Sequence, residues 1–256
     1  MTTHLPIAAA SFLLVGFAFV AGAQRGADVR KQFIDLAAKN DSAGIVALWK
    51  ANPAAALATI DQDLEGALAE IEKAGNQDAK GVKEMHARAL LGARAADEAF
   101  GRSIFGEYAA SYVGWNATQQ KEFREGQKLT GVAGKNLKDK AFEDAKKNAQ
   151  RCVEITTNLG DWWGLSSAYG ALAQANEGLG AKEAALQARQ MARLIDHDLY
   201  FTGKELRETV AMARLLVELE RATRARMTID QGLALAKELK DAKSEEALKE
   251  LAAKLK

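Results

Sequence analysis

Few side chains in this sequence combine a reactive type with a useful spacing, and the basic stripe Lys204, Arg207 and Arg214 is the clearest case. Residues three and seven apart on a helix share a face. Three cations placed so could take a carboxylate or an acidic peptide through charge-assisted hydrogen bonds. The blander reading is a solvated face on which they alternate with Glu205, Glu208 and Glu218. Asp196-His197-Asp198 has the residue types of a metal cluster, but neighbours at a helix end diverge, and it reads as a solvated turn. His86, in Glu84-Met85-His86, lacks the second histidine of a zinc-protease helix. Cys152 is the only cysteine, which excludes an intrachain disulfide, and it reads as a buried packing residue rather than a redox thiol. No P-loop, dinucleotide glycine pattern, Gly-x-Ser-x-Gly elbow or Cys-based zinc spacing is present. The expectation is a protein that is not an enzyme, with no catalytic residue, cofactor or metal.

The elements that must position the basic stripe announce themselves by a repeat. From Thr118 to Asp241, apolar and small residues recur at intervals of about forty. Val132-Ala133 returns as Leu172-Ala173 and Met212-Ala213. Ala145 returns as Ala185 and Ala225, Cys152 as Ala192 and Gly232, Ile155 as Ile195 and Leu235, and Leu159 as Leu199 and Leu239. In the middle copy Ala185, Ala192 and Ile195 lie on one helical stripe, and Ala173 lies on the helix before it. Small residues there let antiparallel helices approach closely, so three stacked helical hairpins are predicted.

Asn158-Leu159-Gly160-Asp161, followed by Gly164, Tyr169, Leu172-Ala173, Leu179-Gly180, Ala185, Ala192 and Ile195, resembles the tetratricopeptide repeat (TPR) family in its longer variant. The match is closest in the middle copy. Copy one has Asp139-Lys140 and copy three Leu219-Glu220 where the family turn carries Leu-Gly, which predicts distorted turns there. The resemblance implies an all-α, right-handed α-α superhelix, a solenoid whose first helices line a concave face. Carried over by register, the inward positions are Gln127, Thr130, Gly134 and Lys138, then Ser167, Gly170, Gln174 and Glu177, then Arg207, Val210, Arg214 and Glu218. Of these, Gln127, Lys138, Gln174, Glu177, Arg207 and Arg214, together with Lys204, are the expected partner-binding residues. The lysine and asparagine set by which some family members grip a terminal carboxylate is not evident.

Residues 1–23 contain no Asp, Glu, Lys or Arg, are almost wholly apolar from Leu5 to Val20, and end in Ala21-Gly22-Ala23. That pattern predicts a signal peptide cleaved after Ala23 and export to a periplasmic or extracellular space, with an N-terminal membrane anchor as the rival reading. The remainder is expected to be all-α: N-terminal helical hairpins over 24–117, three repeats over 118–241 and a capping helix over 242–256 that carries Leu248, Leu251 and Leu255 on one face. Within the first part, Leu57, Ile60, Leu64, Leu68 and Ile71 form the cleanest apolar face, on a helix with Pro53 in its first turn. Phe105, Tyr108, Tyr112 and Trp115 form either a core face or a ligand-facing strip, and the core face is simpler. Trp162-Trp163 either anchors a partner or fills a hairpin junction. The 35 basic and 34 acidic residues, net charge +1, give no reason to expect nucleic acid or an anionic membrane as partner.

The expected function is an exported scaffold that binds a protein or peptide through the concave face, with no membrane insertion after signal removal. A small-molecule receptor closed at one end by the aromatic segment is the alternative. An enzyme using Asp196 or His197 comes last. Apolar faces at the two ends leave homo-oligomerisation open.

Overall fold

The computed structural model describes residues 26–77 and 79–255. The predicted signal segment lies outside them. The described residues form helices joined by turns and divide into two compact units between Gly101 and Arg102, within each of which neighbouring helices pack on one another.

The first unit contains α1 (26–38), α2 (Ser42–Ala51), a 3-10 turn (Pro53–Ala55), α3 (Ala56–Ala74) and α4 (Lys80–Phe100). Asp41 starts α2 by accepting a hydrogen bond from the Gly44 N–H at 2.8 Å, as an acidic N-cap should. Pro53 lies in the first turn of the continuous helical segment Pro53–Ala74, as expected; that turn is 3-10, where its fixed φ and missing N–H are tolerated, and it runs directly into α3. The predicted face Leu57, Ile60, Leu64, Leu68 and Ile71 is buried throughout. Trp49 is fully buried, lies tilted against the Phe33 ring with centroids 5.1 Å apart and donates its indole N–H to the Gly92 carbonyl at 3.0 Å. A Cβ on Gly92 would meet the Phe33 ring at 2.8 Å, so this approach of α1 and α4 requires glycine. Asp63 is completely buried between Arg30 and Arg88, which donate to it at 2.9 and 2.8 Å and tie α1 and α4 to α3.

The second unit runs through α5 (Ile104–Gly114), α6 (Ala117–Lys138), α7 (Phe142–Leu159), α8 (Trp162–Gly178), α9 (Lys182–Asp198), α10 (Thr202–Glu218), α11 (Ala222–Leu239) and α12 (Ala242–Ala253). The forty-residue register is visible in the packing. Ala133, Ala173 and Ala213 are fully buried, as are Ala145, Ala185 and Ala225. Cys152 and Ala192 are buried in matching places, and a Cβ on Gly232 would press on Leu248 of α12 at 2.8 Å. The register weakens at its edges: Leu159 and Leu199 are buried, but Leu239 is 37% exposed and so is Val132 at 38%. Leu239 belongs to the last hairpin, which is followed by a single helix, so the cover that its counterparts receive is missing. Leu248 and Leu251 of α12 bury themselves against Leu206, Ala213 and Ile229.

The turns follow a period of twenty. Lys140, Gly160, Gly180, Tyr200, Glu220 and Lys240 all take the left-handed conformation, with φ between 55° and 74°. After each one, the next N–H returns to a carbonyl in the last helical turn at 2.8–2.9 Å, as from Ala141 to Asn136, Ala181 to Asn176 and Arg221 to Leu216. The distortion expected at Asp139-Lys140 and Leu219-Glu220 is therefore not found. Packing of the helices on either side imposes the geometry, and the non-glycine residues bear the steric cost.

The aromatic segment is core. Phe105, Tyr108, Tyr112 and Trp115 are all buried, Tyr112 stacks on Trp115 at 4.1 Å, and the Trp115 indole donates to the Leu159 carbonyl at 2.9 Å. Cys152 is buried beside the Gly126 carbonyl and the Thr130 hydroxyl, and burial raises its thiol pKa.

Candidate binding groove

The second unit holds a groove of about 1040 Å³ formed by α6, α8, α9 and α10, with Phe142 of α7 contributing at one edge. Small residues make the room: Gly134, Ser167 and Gly170 leave little side chain over the floor. Phe142 packs so closely on Gly178 that a Cβ there would lie 2.3 Å from the ring, which fixes the end of α8 against the start of α7.

Six of the seven expected binding residues line this groove: Lys138, Gln174, Glu177, Lys204, Arg207 and Arg214. Gln127 does not; its amide oxygen accepts from Arg124 on the same helix at 2.8 Å. Thr130, Gly134, Ser167 and Gly170 face the groove as the register implied, whereas Glu218 pairs with Lys182 at 2.9 Å and Val210 is not part of the lining.

Sequence reasoning missed the polar side chains that shape the walls. Arg189 on α9 is 7% exposed. Its Nε and Nη2 donate to Glu177 Oε1 at 2.9 and 2.7 Å, and its Nη1 donates to Glu208 Oε2 at 2.7 Å. Glu177 also accepts from Arg214 at 2.7 Å. One buried guanidinium thus joins α8 to α10. The two carboxylates hold the Arg189 pKa up against a burial penalty that would lower it.

Asp196 is the second surprise. The expectation of a solvated turn is wrong, because α9 continues to Asp198 and turns the Asp196 carboxylate into the groove at 1% exposure. The Ser166 hydroxyl of α8 donates to its Oδ1 at 2.5 Å. Burial pushes its pKa up to about 6, with the Ser166 bond, Lys204 and Arg207 opposing and the Glu208 charge assisting. The neighbours of Asp196 in sequence leave in other directions: His197 lies 3.1 Å from Glu205, and Asp198 pairs with Arg102. Among the described residues, no group of three His, Cys, Asp or Glu is placed to hold a metal.

Lys204 sits over the rings of Phe201 and Trp163, with its ammonium 4.8 and 6.0 Å from the ring centres. Trp163 and Phe201 meet edge to face at 5.2 Å, so this tryptophan fills a hairpin junction. Burial lowers the Lys204 pKa, partly offset by Asp196. The groove lining carries five cations, Lys138, Arg189, Lys204, Arg207 and Arg214, against three acids, Glu177, Asp196 and Glu208. Glu177 and Glu208 are taken by arginines. Lys138, Lys204 and Arg207 make no ion pair with any described residue.

The register held a signal for the missed residues. The position of Arg189 is occupied by Ala149 and Ile229 in the flanking copies, that of Asp196 by Thr156 and Ala236, and that of Ser166 by Gly126 and Leu206, all of them buried. A charged or polar residue in a column that is buried elsewhere points inward. Chemically, the groove offers cations without ion-pair partners among the described residues and a buried acid whose pKa is pushed up to about 6.

No family model matches this sequence, and no curated protein matches it.

Proposed function

We propose that the second unit is a TPR-like protein-interaction scaffold, a superhelical solenoid that docks an extended, acidic segment of a partner protein in its groove. The observation that carries this reading is the excess of unpaired cation: Lys138, Lys204 and Arg207 face the groove without a salt bridge to a described residue, while Glu177 and Glu208 are committed to arginines. Lys204 is half-buried while Lys138 and Arg207 are exposed along the groove, and cations gathered along one cleft attract an incoming carboxylate more strongly than the same groups scattered over an open face. The predicted signal segment adds export as part of the proposal, so the partner would be met outside the cytoplasm.

The test is binding of a rhodamine-labelled hexaglutamate peptide, followed by fluorescence anisotropy, with hexalysine as control. Arg207→Glu with Lys138→Glu should abolish hexaglutamate binding while the far-UV circular dichroism of the chain stays unchanged. Rising salt should weaken the wild-type interaction. Equal binding of both peptides, or undiminished binding by the double variant, would remove the groove from the function.

A further inference from the structure

We propose that the corner of the groove formed by Asp196, Lys204 and Arg207 takes one carboxylate of the docked segment together with one proton, which is held on Asp196. This rests on the groove being the docking site and specifies what one end of it recognises.

The geometry sets the problem. Asp196 is almost completely buried, receives one hydrogen bond, from Ser166, and has no cation within salt-bridge distance. Lys204 and Arg207 nevertheless come from the facing helix, line the same groove and act on it electrostatically. The other charge that faces it is Glu208, also from α10 and held by Arg189; α8 brings Ser166, which does not titrate in this range. His197 is adjacent in sequence but turned to Glu205. An ionised Asp196 therefore competes with any anion for Lys204 and Arg207, and a second carboxylate brought close to the buried Asp196 raises the cost of keeping both charged.

Protonation resolves the conflict. The neutral Asp196 no longer repels the ligand, and its O–H becomes a donor toward it. The proton comes from solvent and is released when the ligand leaves. The free acid already titrates near pH 6, so the uptake needs little work. Anion binding must then tighten as pH falls through the region near 6, because the bound state holds more protons than the free state.

The experiment measures hexaglutamate affinity of the full chain between about pH 5.5 and about pH 7.5 at constant ionic strength, a range in which free glutamates stay largely ionised. Titration calorimetry in two buffers of different ionisation enthalpy reports the proton directly. The expected result is roughly fivefold tighter binding at the acid end with net proton uptake. Asp196→Asn, which keeps the shape and a donor, should bind tightly with a flatter pH profile and no uptake. Ser166→Ala removes a bond that favours the carboxylate and should move the transition to higher pH. His197→Gln should keep the wild-type profile. An unchanged profile in Asp196→Asn, or a profile lost in His197→Gln, would overturn the assignment. Absence of hexaglutamate binding at every pH would instead remove the docking reading beneath it.

Discussion

Replacing Arg189 with methionine tests whether the buried guanidinium is what holds the groove wall. The methionine occupies much of the same volume but leaves Glu177 and Glu208 facing one another's helices with side-chain exposures of 20% and 13%. Glu177 keeps Arg214, which is half exposed, but Glu208 loses its salt bridge. Removing one partner of a buried pair costs about 3–5 kcal/mol, and the surviving Arg214 contact argues for the lower end, about 3 kcal/mol. For a unit of this size that corresponds to a fall in melting temperature of roughly 6–12 °C. The sign of the pH dependence follows. A carboxyl stranded in the fold has a native pKa above its unfolded value, so the folded variant binds more protons, and its stability recovers as pH drops. Thermal melts by circular dichroism at about pH 7.5 and about pH 5 should show the deficit shrinking in acid, and Glu208→Gln added to Arg189→Met should restore part of it at neutral pH. A loss below about 1 kcal/mol, or a deficit that does not change with pH, would refute the argument that Arg189 is structurally required.

Asp63→Asn leaves Arg30 and Arg88 without their shared charge in the first unit and should cost roughly 3 kcal/mol, read as a lower urea midpoint with an unchanged slope. Glu220→Gly relieves an exposed left-handed residue at φ 57°, and it should stabilise by about 0.5–1 kcal/mol despite the extra freedom of glycine when unfolded. A destabilised Glu220→Gly protein would mean that packing does not impose the turn geometry.

The helices were legible because their apolar residues recur at helical spacing: the Leu57 to Ile71 face and the Ala145, Ala185, Ala225 column are all buried as the pattern requires. Glycine favours the left-handed conformation but is not required for it, so the two turns that lack it are undistorted. Lys140 and Glu220 adopt the same backbone as Gly180 since the flanking helices leave no alternative. Register assigned most of the inward side chains on the first helix of each hairpin, but Gln127, Val210 and Glu218 do not line the groove. Asp196 could not be placed by its neighbours, because α9 runs on through Asp198: within the helix its carboxylate faces inward at 1% exposure, whereas a turn at that point would leave it in water.

Three buried columns of the repeat are polar in the middle copy. Arg189, Asp196 and Ser166 stand where the flanking copies place Ala149 and Ile229, Thr156 and Ala236, and Gly126 and Leu206. Stacking does not demand these polar groups, since five of those six counterparts carry no side-chain heteroatom and pack in equivalent places. Nor does stability, because a buried ion pair seldom outperforms an apolar replacement of similar volume, and an unpaired buried carboxylate is worse than either. All three side chains line the groove: Arg189 pairs with Glu208 of α10, Asp196 feels the charges of Lys204, Arg207 and Glu208, and Ser166 donates to Asp196. Costs of this kind, concentrated at one end of one groove, are what the docking reading proposed above predicts, with its discriminating chemistry at the junction of α8, α9 and α10.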